Sequence, residues 1–196
     1  MKFFIATKNE DKKREFSEIF AELGIELISE KDIDVSFPDV EEDGTTFEEN
    51  SLIKARNGAK YVGMPTVADD SGLCVDYLGG APGIYSARYA GGHGDNDANN
   101  KKLLAELEVV PEEKRTARFV SVVACVFPDG REFTVRGEVE GKIGFNECGN
   151  GGFGYDPLFI TRIGCFGEVS AEAKNSISHR AVAIKKFKEE IKKYVD

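Results

Sequence analysis

Two adjacent carboxylates, Asp69 and Asp70, follow the short apolar run Thr66-Val67-Ala68 and precede Ser71-Gly72. Side by side in an apolar setting they repel each other and resist burial unless a cation or strong donors neutralise them. A divalent metal site is the economical reading, with an acidic surface turn as the plain alternative. Upstream, the run Asp39-Val40-Glu41-Glu42-Asp43-Gly44 reads by itself as a solvated loop. Cations stand near helix starts. Lys8 and Lys12 lie in the loop and first turn of a helix for which Asn9 is the expected N-cap, where backbone N–H groups and the helix dipole favour an anion. Lysines are better placed at the other end of a helix, so their position here hints at a phosphate, with a solvated face as the plain alternative. Lys54 shares a helix side with Phe47 and Ser51, off the buried stripe, where it either faces a cleft or, taken alone, is plain surface charge. A glycine-dense loop, Cys148–Pro157, carries Phe153, Tyr155 and Asp156. Its glycines admit a ligand close to the backbone, and aromatic rings there stack on a base or sugar, or else plug the core. Ser178-His179-Arg180 opens the last helix, with Ser178 as N-cap.

The elements that must position these residues follow from periodicity. Lys2–Thr7 is a strand, followed by a helix with Phe16, Ile19, Phe20 and Leu23 on one side and Gly24 as its stop. A strand at Glu26–Ser29 precedes a helix opened by a capping box at Thr46–Glu49 and striped by Leu52, Ala55, Ala59 and Val62. Thr66–Ala68 ends a buried strand, with Gly72 turning the chain sharply so that the two acids sit at the strand tip. A further strand is expected at Cys74–Leu78, a shaped loop at Gly79–Gly83, and a helix within Asp97–Glu108. Ala117–Phe127 is apolar at nearly every position, as a central strand covered on both faces should be, and turns at Pro128-Asp129-Gly130 into Glu132–Arg136. Leu158–Ile160 is strand-like, and Ile184, Phe187, Ile191 and Tyr194 stripe the final helix. The expected fold is α/β: one domain over residues 1–196, a mixed twisted sheet flanked by helices, splayed into two lobes around a central substrate cleft.

With 196 residues, 41% of them apolar, the chain can build a sizeable core. Lys and Arg total 26 against 35 acids, and the net charge of −9 opposes attraction to a nucleic-acid polymer. No apolar run approaches membrane-spanning length, and the early charges of MKFFIATKNEDKK do not suit a signal peptide, so a cytoplasmic protein is expected. The four cysteines, Cys74, Cys125, Cys148 and Cys165, form no Cys-x-x-Cys pair and are expected to be reduced packing residues.

Taken in order, Thr7-Lys8-Asn9…Lys12, Thr46-Phe47-x-Glu49-Asn50-x-x-x-Lys54-Ala55, Ala68–Leu73, Gly79-Gly80-Ala81-Pro82-Gly83-x-x-Ser86-Ala87-Arg88, Gly151–Pro157 and Ser178-His179-Arg180 resemble the signature set of the inosine triphosphate pyrophosphatase family, across almost the whole chain. The resemblance implies a Mg²⁺-dependent hydrolase that converts ITP, dITP or XTP to the monophosphate and pyrophosphate, working as a homodimer. It implies Asp70 as the acid that orients or deprotonates water. Asp70 and Glu42 would be metal ligands, with Glu41 and Asp69 as further candidates. Thr7, Lys8, Asn9, Lys12, Lys54 and Ser71 would hold the triphosphate. Phe153, Gly154, Tyr155 and Asp156 would line the base pocket, and Lys174, His179 and Arg180 would recognise the purine and its 6-keto oxygen. Two places depart from the family pattern: Lys8 stands where a small residue is usual, and Gly164–Glu168 replaces a Lys-Thr-Phe pattern. A nucleotide-binding regulator without turnover and a hydrolase of another modified nucleotide are the competing classes.

Overall fold

The computed structural model describes residues 1–21, 24–33, 40–92 and 94–194, excluding the side chains of Asp11, Glu15, Glu18 and Ile19. Leu23 of the expected helical stripe and Asp39 of the acidic run therefore lie outside the described residues, as does the side chain of Ile19. Strands β1 (Lys2–Ile5), β2 (Glu26–Ile28), β3 (Thr66–Val75), β4 (Thr116–Val126), β5 (Glu132–Ile143), β6 (Phe159–Thr161) and β7 (Gly164–Cys165) hydrogen-bond in the order β2-β1-β3-β4-β5-β6-β7. The sheet is mixed, because β1 runs parallel to β2 and β3 whereas β6 is antiparallel to β5 and β7. Helices α1 (Glu10–Ala21), α2 (Phe47–Val62), α3 (Asn96–Glu106), α4 (Ala171–Ile177) and α5 (His179–Ile191) flank it, giving the expected α/β class.

The chain forms two compact units, one of Met1–Asp70, Ser121–Gly137 and Ala181–Asp196, the other of Ser71–Val120 and Glu138–Arg180. In the first unit, side chains alternate strictly along the strands, as the pleat requires. Phe3, Ile5 and Val67 pack with Phe16 and Phe20 of α1, Phe187 of α5, and Val123 and Cys125 of β4. The residues between them, Phe4, Ala6 and Ala68, pack instead with Ala55 and Ala59 of α2 and with Ala124 and Val126 of β4. Burying each such large apolar side chain contributes roughly 1.5–3 kcal/mol. The second unit has its own core around Leu73, Val75, Leu103, Phe119, Tyr155, Phe159 and Phe166. Its buried Arg115 donates to the carbonyls of Leu107, Val110 and Gly144, so the charge is met by backbone dipoles from three places in the chain.

Capping follows the sequence with one variation. Asn9 Oδ1 accepts from the Lys12 amide at the start of α1. Thr46 accepts from the Glu49 amide, but the Glu49 carboxylate reaches the amide and hydroxyl of Thr45, so the reciprocal arm of the capping box closes one residue early. Gly63, with φ of 67°, ends α2 in a left-handed turn that few other residues adopt.

Three expectations are corrected. β3 is one strand of 10 residues that passes through Asp69-Asp70-Ser71-Gly72, so the acids stand inside a strand and Gly72 makes no turn. Leu73 and Val75 are wholly buried, and their pull into the core extends the strand until a 3-10 turn at Asp76–Leu78 takes the place of the strand expected there. Cys148 and Cys165, 17 residues apart in sequence, are joined in a disulfide with Cα atoms 6.4 Å apart, leaving only Cys74 and Cys125 as thiols. Ser178 separates α4 from α5, and α4 itself escapes periodicity because, of its 7 residues, Lys174 is the buried one. Among the described residues no helix is long and apolar enough to cross a membrane.

Candidate functional site

The alternation along β3 decides what its two acids do. Asp69 continues the set of Phe16-facing residues and Asp70 the set that faces α2, so neighbours in sequence serve opposite layers. Asp69 is nearly fully buried, with one carboxylate oxygen 2.7 Å from Lys12 Nζ of α1 and the other accepting from Ser121 Oγ of β4 at 2.5 Å. Asp70 meets α2: Lys54 Nζ lies 3.1 Å from its Oδ1 and 2.9 Å from Glu42 Oε2. Each carboxylate of the pair thus has its own lysine.

Burial works to lower the Lys54 pKa, but the charges of Asp70 and Glu42 outweigh it and hold the ammonium above its ordinary value. For Asp70, burial pushes the carboxyl up and Lys54 and Lys12 pull it back. The two directions pull against each other, and two acids sharing one ammonium at hydrogen-bond distance favour the charged pair.

Among the described residues no three His, Cys, Asp or Glu side chains form a ready metal cluster. The donors present nonetheless fit Mg²⁺, which uses one or two carboxylates and completes its shell with water and substrate phosphates. Asp70 Oδ2 is buried with no hydrogen-bond partner, and Glu42 brings a second carboxylate to the same lysine. The other two candidate ligands are elsewhere: Asp69 is held by Lys12 and Ser121, and Glu41 is exposed.

Of the residues expected around phosphate, Lys12 is mostly buried on Asp69, Thr7 Oγ1 accepts from the Asn9 amide, and Lys8 is exposed. In the second unit, Asp156 is 2% exposed and accepts from Lys174 Nζ and from the Phe153 amide, each at 2.8 Å. Burial raises the pKa of this carboxyl, opposed by Lys174. Gly152 has φ of +74°, and a Cβ there would run into the Asp156 carboxylate, so the loop closes over the acid only with glycine. Lys174 Nζ and the Arg180 guanidinium lie 4.9 and 5.0 Å from the centre of the half-buried Phe153 ring, within cation–π range. Arg180 also donates to Ser71 Oγ at 3.1 Å. His179 stacks on Phe119 with centroids 4.9 Å apart and planes 14° from parallel. Tyr155 is a core residue whose hydroxyl donates to the Ser86 carbonyl, and the Gly154 carbonyl accepts from Asn100.

Two supporting residues escape a reading by motif. Ser121 anchors Asp69, and its signal is one hydroxyl in the otherwise apolar stretch Phe119–Phe127. Asn100 donates to Gly154, and with Asn99 it puts two consecutive amides on the buried side of α3. Polar residues at core positions need partners, which makes them worth tracing.

Fold and side chains together define a class: an α/β protein with a carboxylate–lysine centre whose donors fit a divalent cation. The sequence profile of the Ham1 family matches residues 3–190, and the chain belongs to that family. It is 48% identical over 189 residues to a dITP/XTP pyrophosphatase of Geobacter sulfurreducens, covering 95% of this chain and 94% of that protein. A dITP/XTP pyrophosphatase of Bacillus licheniformis is 50% identical over 185 residues, covering 93% of this chain and 94% of the other. The solved Ham1 protein of Coxiella burnetii superposes with a TM-score of 0.88 at 36% identity, over 98% of this chain and 99% of that one.

Proposed function

We propose that the protein hydrolyses non-canonical purine nucleoside triphosphates (ITP, dITP and XTP) to the monophosphate and pyrophosphate, and so cleans the nucleotide pool. The reading is supported by the names of its relatives, and the observation that carries it is the Lys54-linked pair of Glu42 and Asp70 with its unpartnered Asp70 oxygen. Glu42 and Asp70 would hold Mg²⁺, which when bound would neutralise phosphate charge and make water more acidic. Asp70 orients the attacking water and accepts its proton. Lys12 and Lys54, with Thr7, Lys8, Asn9 and Ser71, hold the phosphates and offset the charge that builds on the departing pyrophosphate. Phe153 stacks on the base, while Lys174, His179 and Arg180 present donors to a 6-keto oxygen. Adenine carries a donor at that position and leaves these groups unpaired, which rejects it strongly. The protein acts in the cytoplasm as a homodimer.

The test is a panel of ITP, dITP, XTP, GTP and ATP with Mg²⁺, with products separated by anion exchange. ITP, dITP and XTP should yield monophosphate and pyrophosphate far faster than ATP is consumed. Release of orthophosphate and diphosphate would overturn the bond assignment, and no turnover of any nucleotide would overturn the enzyme reading.

A further inference from the structure

Lys54 does more in this structure than a phosphate-binding lysine needs to do. Its ammonium is 2.9 Å from Glu42 Oε2 and 3.1 Å from Asp70 Oδ1, so it already contacts both carboxylates that a divalent cation would use and offsets one of their two charges. Its side chain is 15% exposed, too little for water to screen the contact well. The neighbouring pair is different in kind: Lys12 answers Asp69, whose other oxygen is fixed by Ser121, and no metal ligand is shared.

We propose that Lys54 is a placeholder cation, holding Glu42 and Asp70 together without a metal and leaving them for the nucleotide's phosphates when the metal arrives. The proposal rests on the metal reading given above. While Lys54 sits on both carboxylates, a divalent ion must displace a positive charge at contact distance, which lowers its affinity for the free protein. An incoming triphosphate offers Lys54 replacement oxygens, so metal and nucleotide favour each other, and coupling of this kind is reciprocal. The protein then takes up metal together with nucleotide, and the carboxylates are never left as a bare like-charged pair. Asp70 Oδ2, unpartnered, gives the entering ion a first foothold.

The experiment titrates Mn²⁺ into the nucleotide-free protein and counts free Mn²⁺ by electron paramagnetic resonance. Lys54→Met should bind Mn²⁺ at least about tenfold more tightly than the unaltered protein, because a cation at contact distance has been removed. Lys54→Gln, which keeps a polar head should the first variant fail to fold, should tighten binding in the same direction. Lys12→Met, which removes the same charge from a lysine that contacts Asp69 and acts on Asp70 only through space, should tighten binding several-fold less than Lys54→Met. Unchanged or weaker binding in both Lys54 variants overturns the proposal, as does equal tightening by Lys12→Met, which would reduce the effect to net charge. Asp70→Asn, alone and with Lys54→Met, separates the two readings. If it abolishes Mn²⁺ binding while Lys54→Met fails to tighten it, the metal site stands and the placeholder falls. If it leaves Mn²⁺ binding unchanged, the metal site itself is wrong.

Discussion

The two charged centres of this chain are built on opposite principles. Around Asp69 and Asp70 the scaffold is the middle of a ten-residue strand, and lysines arrive from helices in the two layers beside it. Around Asp156 the scaffold is a glycine-rich loop, a 3-10 turn and the short helix α4, and a single lysine–carboxylate pair is largely buried there. A strand interior fixes side chains to well under an ångström, which suits placing water, metal and phosphate. A loop closed by glycine and cation–π contacts suits the shape of a base, at the cost of depending on buried charge. The first centre should therefore govern rate and the second should govern choice and stability.

The largest break should come from Asp70→Asn, which removes the acid proposed both to orient water and to bind the metal. Turnover should fall by about 10²–10⁴-fold, the range of a lost general base, with melting temperature little changed. Lys174→Met should act the other way, lowering unfolding free energy by about 3–5 kcal/mol in urea titration, because Asp156 is left buried without its cation. Ser121→Ala comes next. It leaves Asp69 Oδ1 without its donor, and a loss of about 1–3 kcal/mol is expected, with KM for the triphosphate rising as Lys12 loses its fixed anchor. The smallest effect belongs to Asp32, outside both centres, whose pKa is lowered to about 2 by Ser29 and Lys13. A lowered folded-state pKa stabilises above the unfolded value near 3.8, and that contribution is lost as pH falls toward 2. Asp32→Asn should flatten this part of the acid-unfolding curve, modestly, since its side chain is 45% exposed.

The scaffold of the first centre, β3 with α1 and α2, was legible from periodicity, whereas Glu42 lies in the irregular stretch before α2 and was named only through the family motifs. Asn9 announced the start of α1, whereas Lys54, expected off the buried stripe of α2, lies on the side of its buried Phe47, Ser51 and Ala55 and is 15% exposed. What misled was Gly72. In a strand flanked by Leu73 and Val75, burial overrides the turn preference of a lone glycine, and the carboxylates that looked like a strand tip became opposite sides of a strand interior. On that strand Asp69 pairs with Lys12 and Ser121 and Asp70 with Lys54. The second centre was legible only through its family motif. Its parts come from a loop, a seven-residue helix without an apolar stripe, and a cysteine pairing set by tertiary approach, none of which leaves a local period. Ser121 and Asn100 were hidden for the same reason, since a supporting hydrogen bond is visible only once strand and loop are in place.

The division of labour is tested most directly by the ratio of kcat/KM for ITP to that for ATP, measured under single-turnover conditions in Asp70→Asn and Arg180→Ala. Asp70→Asn should slow both nucleotides and keep the ratio, whereas Arg180→Ala, which loses its contacts to Ser71 and Phe153, should collapse the ratio with a smaller loss of rate on ITP. A collapsed ratio in Asp70→Asn, or an intact one in Arg180→Ala, would contradict that division.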